Sequence, residues 1–398
     1  MQPLEISINN SVYAPEAIRR VIMEFEELQR GKIDVKIFDW SVAWTEFMKI
    51  NIYQHGPVVS ETGDTWMGSL TSRNCLRPFT KDELISIGGE QAFIKEMWQS
   101  CIDFDEKTVV AIPWSMDTYL IYYHRDLLAR AGVDENTAFA NTASFAAALE
   151  KLRRAGIQMP IAIPTSGKSN SMIHHASSWV WASGGDFMSD DGRQIFFTKQ
   201  ETLAGLKTYF DLYRFMPPEA QSLDDETCVQ AFVEKNAAIA IQNPPFLSSL
   251  KNGQWPDQVR ENIGLAVHPG TPFIGGSHLI IWSHIPADQE KSAVGLIRHM
   301  TSTENLLRQF EETGLVPARL EALNRIESNP VYGPMIQSLK TGRAYKRTPL
   351  WGLVEDRLLE AMQNIWHRIF SDPDPDIDLI LRSALAIPEE RLNLTLSQ

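Results

Sequence analysis

Apolar positions along this chain switch between two periods. Leu4-Glu5-Ile6-Ser7-Ile8-Asn9 reads as a strand, Ala17, Val21, Phe25 and Leu28 recur at helical spacing, and Ile33, Val35 and Ile37 alternate again. Strand, helix, strand in that order predicts a β-α-β unit with parallel strands, which sets an α/β class. Val58-Val59 then leads into the turn-like Thr62-Gly63-Asp64-Thr65-Trp66, with a short helix from about Met67. Residues 82–102 read as helical, and Val109–Ile112 as a short strand ending at Pro113. From Asp117 the run Thr118–Tyr123 is strand-like, followed by a helix closed by Gly132. A helix over 142–155 has Thr142 as its expected N-cap, and a strand follows at Ile161–Ile163. An apolar, aromatic stretch over 173–182 ends in Ser183-Gly184-Gly185-Asp186, and helices are expected over 201–214 and 225–235. Ala237–Ile241 is a buried strand running into Asn243-Pro244-Pro245, Ile263–Val267 another strand, and Gly275-Gly276-Ser277 precedes a strand at Leu279–Trp282. Helices at 287–300 and 303–312 end at Gly314, and the remainder from Arg319 is mostly helical, broken at Pro330, Pro349 and Asp372–Pro375. No internal repeat or low-complexity linker interrupts this order, so two lobes would have to be joined by several crossings of the chain.

Length supports two lobes: 398 residues exceed one ordinary core and suit two of roughly 150–200 residues each. A hydrophobic share of 43 % and a charged share of 22 % are those of a folded chain, not of a disordered, collagenous or coiled-coil one. No run of 18 apolar residues is present, so no membrane span is expected. Lys and Arg number 37 against 50 Asp and Glu, a net charge of −13; without long basic blocks, nucleic acid is excluded as the main partner. Cys75, Cys101 and Cys228 are an odd number with no paired spacing, so neither a disulfide framework nor a zinc site is expected. No basic and apolar leader precedes the strand at Leu4, so either a secretion signal was removed or the protein stays in the cytosol. The unusual feature is eleven tryptophans, rings that serve either as core filling or as faces on which a ligand stacks.

Familiar catalytic and cofactor motifs fail on inspection. Gly167-Lys168-Ser169 has the tail of a phosphate-binding loop, but Ala162 stands where its first glycine belongs. Asp372, Asp374, Asp376 and Asp378 imitate a calcium loop, but Ile377 replaces the turn glycine and no closing glutamate follows. His174 and His175 are adjacent, so on a helix they point about 100° apart. Neither a cofactor nor a metal is expected. Two acids suffice for glycoside hydrolysis, so a glycoside-active enzyme using paired cleft carboxylates stays open as an alternative.

Five blocks, in order, carry a resemblance. They are Ala111–Leu128, with its Pro-aromatic turn, Tyr-rich strand and Arg125-Asp126-Leu127-Leu128; Ala131-Gly132-Val133 through Pro160-Ile161-Ala162; Phe232–Ile241; Gly275-Gly276-Ser277 with the helix after it; and Gly314–Arg319. Together they resemble the extracellular solute-binding proteins of family 1, the sugar-binding proteins of ABC importers that include maltodextrin-binding protein. The resemblance implies an α/β, two-lobe periplasmic-binding-protein-like II fold with hinge crossings near 113–118, 265–272 and 314–320. Lobe one would be 1–114 plus 268–316, and lobe two 118–265 plus 320–398. It also implies a non-enzymatic, monomeric carrier, periplasmic or extracellular and lipid-anchored, with a mono- or oligosaccharide as ligand and ABC permease transmembrane subunits as partners. A sensor of the same fold, cytoplasmic and signalling to a regulator, is the alternative.

Sugars present hydroxyl edges and apolar C–H faces, so aromatic planes and short polar groups at strand ends are the candidate contacts. Aligned on the family, these are Asn10 and Ser11 after the first strand, Trp40, and Asp64, Thr65 and Trp66 at the turn. Trp114 and Asp117 flank the first hinge, Trp179 and Trp181 precede the double glycine, and Asn243 and Phe246 follow a strand where the family often has a tryptophan. Gly276 and Ser277, Arg347 after Tyr345, and the late stacking Trp351 complete the set. Asp64 and Asp117 read equally well as local turn caps, and Gly275-Gly276 as a tight bend. Trp98, Trp282 and Trp366 read as core; Trp44 and Trp255 are unassigned.

Overall fold

The structure, a computed structural model, describes residues 3–10, 15–29, 31–167, 171–251, 255 and 260–396. Ser11, Lys168 and Ser169, and the side chain of Asn10, lie outside what it describes. Its strands are β1 (Leu4–Asn10), β2 (Ile33–Asp39), β3 (Val59–Gly63), β4 (Ala111–Thr118), β5 (Leu120–His124), β6 (Met159–Ala162), β7 (Ala237–Gln242), β8 (Ile263–Val267), β9 (Ile274–Ile281) and β10 (Val316–Pro317).

They form two sheets among the described residues. One is six-stranded with order β10-β4-β9-β3-β1-β2, the other four-stranded with order β6-β7-β5-β8. The opening β-α-β unit is present: β1 and β2 pair in parallel from Leu4↔Ile33 to Asn10↔Asp39, and β3 pairs in parallel on the other side of β1. β9 runs antiparallel between β3 and β4. The carboxyl ends of β1, β3 and β4 and the start of β9 therefore share one edge of the larger sheet, where an open α/β sheet binds ligands.

Each sheet has its own core. Ile6, Ile8, Phe47, Ile112, Trp114, Ile280 and Trp282 pack around the first, and Ile121, Phe145, Ile161, Ile239, Leu358 and Trp366 around the second. A third cluster holds residues of both, with Met116 of β4, Leu120 and Tyr122 of β5, Phe310 and Val316. The chain passes from the first sheet to the second at Tyr119, between β4 and β5, and back between β8 and β9. The third cluster thus packs where the lobes join.

Four local expectations are corrected. Pro113 does not end a strand: β4 runs through it, and the pairing with β9 shifts register between Pro113 and Ser115, which accommodates a residue without an N–H. The helix expected over 82–102 is split into Lys81–Ile87 and Lys95–Ser100, because Gly88 and Gly89 take φ values of 117° and 68°. Asn141, not Thr142, caps the helix Thr142–Arg154, its side chain accepting from the Ser144 N–H. Gly275-Gly276-Ser277 lies inside β9, which starts at Ile274.

Candidate functional site

Three segments of the first lobe converge at the strand-end edge of its sheet. β3 ends in Gly63, a single 3-10 turn presents Asp64, Thr65 and Trp66, and the short helix Met67–Thr71 follows. Asp39 caps the helix Trp40–Tyr53 by accepting from the Ser41 N–H, which fixes where Trp40 leaves the backbone. Trp66 is thereby surrounded by rings, with centroids 5.4 Å from Trp40, 5.7 Å from Trp44 and 5.8 Å from Phe47. Trp40 is 38 % exposed and Trp66 only 7 %, so the cluster reaches from the core to the surface. Trp44, unassigned from the sequence, belongs to it.

Asp64 is held in place from behind. Its Oδ1 lies 3.1 Å from Nε2 of the fully buried His278, which also contacts Ser100 Oγ at 2.8 Å and, through Nδ1, Cys101 Sγ at 3.4 Å. Deeper in the same edge, Ser277 and Ser115 share a hydroxyl hydrogen bond of 2.8 Å. Glu61 accepts from the Asn9 N–H at 2.7 Å. Burial pushes the Glu61 carboxyl up to about 7, against the Asn9 N–H and Ser277, which favour its charged form.

The second lobe contributes the helix Ser171–Ala182, the segment 342–350 and the first turns of the helix Trp351–Ser371. His174 stacks on Phe273 at 4.3 Å with the planes 12° apart, and its Nδ1 lies 3.0 Å from the Tyr345 hydroxyl. Burial pushes His174 down to about 3, the charge of Asp64 across the cleft working the other way; at neutral pH the ring is an uncharged hydrogen-bonding plane. Tyr345 also sits 4.4 Å from Trp351 and 5.4 Å from Trp181. Asp117, at the end of β4, accepts from the Thr118 N–H at 3.0 Å. Its carboxyl is pushed up to about 7 by burial, opposed by the Thr118 N–H and the Asn243 side chain.

The lobes touch along this edge. Ser69 Oγ donates to the Pro349 carbonyl at 2.7 Å, and the Arg347 guanidinium lies over the Phe104 ring at 4.4 Å while donating to the Asp103 carbonyl at 3.3 Å. Between the lobes is Glu355, 2 % exposed. Burial pushes its carboxyl up to about 8, the charge of Asp356 adds to this, and the indoles of Trp351 and Trp66 pull it partly back. Glu355 therefore sits beside tryptophans from both lobes.

Of the sequence-derived candidates, the structure places Trp40, Asp64, Thr65, Trp66, Asp117, Trp181, Asn243, Arg347 and Trp351 around this edge, with Trp66, Trp181 and Trp351 buried in it at 7, 6 and 2 % exposure. Three are corrected to core. Trp114 has no exposed surface and packs in the first lobe's cluster beside Ile112. Phe246 is equally buried, 4.9 Å from Tyr122 and 5.9 Å from Phe232. Trp179, 2 % exposed, stacks on Phe145 and meets His268 edge-on. Gly276 answers to strand packing: its φ is +156°, and a Cβ there would lie 2.1 Å from the Ser115 carbonyl oxygen. Ser277 is buried in the Glu61 network. Trp98, Trp282 and Trp366 are buried as expected, and Trp255 lies away from the cleft, donating to Ser249 Oγ at 3.1 Å.

Sequence reasoning missed Glu61, His174, Phe273, His278 and Glu355. The signal for Glu355 was available: it follows Trp351 by four residues, one helical turn on the same face. No group of three or more His, Cys, Asp or Glu side chains among the described residues is placed to hold a metal. No described helix is long and apolar enough to cross a membrane. The site is thus a set of rings and hydrogen-bonding groups, suited to holding a polar ligand with apolar faces.

Comparison with known proteins agrees in fold. An ABC transporter solute-binding protein of Thermotoga lettingae, bound with alpha-D-tagatose, superposes with a TM-score of 0.84 at 19 % identity over 100 % of both chains. Maltose-bound MalE3 of T. maritima gives 0.84 at 16 % identity, covering 98 % of this chain and 99 % of that one. Lmo0181 of Listeria monocytogenes, an ABC substrate-binding protein in complex with cycloalternan, gives 0.81 at 15 % identity over 99 % of both. At these identities the likeness is one of fold, the two-lobe periplasmic-binding-protein architecture. A comparison with curated protein sequences gives no match. The family model described as bacterial extracellular solute-binding protein matches residues 21–332, a family of binding proteins rather than enzymes, and this chain belongs to it.

Proposed function

We propose that this protein is the substrate-binding component of an ABC importer, taking a mono- or oligosaccharide between its lobes and closing on it by hinge rotation. The observation that carries the reading is the pair Trp66 and Trp351, contributed by opposite lobes and both beside Glu355. Two indoles brought together by closure provide stacking faces for the C–H surfaces of a sugar ring. Asp64, Asp117, Asn243 and His174 supply acceptors and donors for its hydroxyls, in a site dry enough that each hydrogen bond made there counts. The structural neighbours in complex with tagatose, maltose and cycloalternan support this ligand class. Delivery to permease transmembrane subunits, as a monomer on the outer side of the membrane, is part of the same proposal, and the family's extracellular description supports the location.

Calorimetric titration against a panel of mono- and oligosaccharides tests the proposal. A saturating sugar is expected to bind with one-to-one stoichiometry and to raise the melting temperature by mass action, about 2.7 kcal/mol of stabilisation at a hundredfold excess over Kd. A protein that ignores every saccharide while another class of solute saturates it overturns the carbohydrate reading.

A further inference from the structure

Glu355 differs from the other acids of the cleft. Asp64 has His278 behind it, Asp117 has the Thr118 N–H and Asn243, and Glu61 has the Asn9 N–H and Ser277. Glu355 is 98 % buried (2 % exposed); the indoles of Trp351 and Trp66 face its carboxyl and favour its charged form, while its Oε1 has no partner within hydrogen-bond distance among the described residues. No basic side chain among the described residues contributes to its electrostatics, and the one charge that does, Asp356, is of its own sign. The basic residues of this region are engaged elsewhere: Arg73 lies over Trp44 and donates to the Ser69 carbonyl, and Arg347 lies over Phe104 and donates to the Asp103 carbonyl. Around the acid stand rings instead, Trp66 with Trp40 and Trp44 on one side and Trp351 with Tyr345 on the other.

A buried carboxyl without a cation is costly to keep charged, and an aromatic ring attracts positive charge through its quadrupole. Both features favour the same occupant, a cation, where hydroxyl donors alone would use only the carboxyl. We infer that the ligand is an aminated carbohydrate, its protonated amine seated against the Glu355 carboxylate between Trp66 and Trp351. This rests on the carbohydrate reading above and narrows it. As the ammonium docks, the proton that burial keeps on the Glu355 carboxyl at pH 7 passes to solvent, and the ammonium donates hydrogen bonds to the carboxylate oxygens while the rings hold the sugar to which it is attached.

Matched sets of sugars test the inference: glucose, glucosamine and N-acetylglucosamine, the corresponding galactose series, and short β-1,4 oligomers of each, titrated at about pH 7, where an amine of this kind carries charge. The aminated member is expected to bind about tenfold or more tighter than its hydroxyl and N-acetyl counterparts. In Glu355→Gln that preference is expected to collapse to under about threefold, whatever the affinity left for the neutral sugar. Trp66→Leu, which keeps the carboxyl, is expected to weaken the whole series. Neutral sugars that bind as tightly as their amines in the wild type overturn the inference and leave the carbohydrate reading standing. No binding by any saccharide in any series overturns both.

Discussion

Substituting Gly68 by alanine separates the hinge motion from the fold. Gly68 lies in the helix Met67–Thr71 of the first lobe, and a Cβ built on it would sit 2.3 Å from the carbonyl oxygen and 2.8 Å from the carbonyl carbon of Thr348 in the second. Real Cβ contacts essentially never fall below 3.0 Å, so the lobes must separate by at least 3.0 − 2.3 = 0.7 Å at this point. The obstacle is backbone, not the end of a flexible side chain, so it moves only with its whole segment. The adjoining hydrogen bond from Ser69 Oγ to the Pro349 carbonyl, 2.7 Å long, stretches with it. Overpacking of this kind costs about 1–3 kcal/mol and the hydrogen bond about 1, so closure loses roughly 2–4 kcal/mol. Ligand affinity should then fall between about 30- and 1,000-fold. With the lobes open there is no clash, and alanine is the better helix former by up to about 1 kcal/mol; the ligand-free melting temperature should not fall. Calorimetry with a saccharide that saturates the wild type, together with small-angle scattering with and without it, reads both effects. An affinity within threefold of wild type, with the same compaction on binding, refutes the interlobe contact on which the reasoning depends.

Other expectations concern the same cleft. Raising the Glu355 carboxyl from 4.5 to about 8 means that the buried state holds a proton that the exposed carboxyl releases, so stability is intact below about pH 4.5 and is lost as pH climbs to 8. The loss is up to about 5 kcal/mol, capped by the cost of opening the lobes. The melting temperature of Glu355→Gln relative to wild type should accordingly rise between pH 5 and pH 8.5, whereas a difference flat in pH contradicts the burial. Trp114→Ala and Phe246→Ala should each cost about 3–5 kcal/mol of stability in denaturant unfolding while the folded fraction keeps its ligand affinity; a loss of affinity without loss of stability would return them to the site. His174, held neutral down to about 3, should show the nitrogen chemical shifts of an uncharged imidazole at pH 5, and a protonated signal there would contradict its stacking in a dry site.

The hydrophobic periods carried the fold a long way where a strand is a continuous apolar run, as in β7, or a helix has one apolar face, as in Glu290–Met300. They failed where a local rule was overridden by a neighbour distant in sequence. Pro113 reads as a terminator, yet β9 pairs on either side of it through a register shift. Site prediction was harder for the same reason. Trp66 and Trp114 both read from the sequence as standing at strand ends, and nothing local shows that Trp114 lies within β4 and turns into the core of its own lobe while Trp66 lies in the turn after β3. Phe246 sits where a relative would place a stacking ring, but Tyr122 and Phe232 enclose it. Glu355 becomes notable only once Trp66, 289 residues earlier in the chain, is folded against it.

Intrinsic tryptophan emission during a saccharide titration, compared between the wild type and Trp66→Phe/Trp351→Phe, tests the central claim most directly. Saccharide held between these two indoles changes their surroundings, so the wild type should show a saturable change in emission. The double variant, which retains the other nine of eleven tryptophans, Trp40 and Trp44 beside position 66 among them, should show a much smaller change even when calorimetry detects residual binding. A saccharide-dependent change that survives intact in the double variant would place the ligand elsewhere and contradict the account.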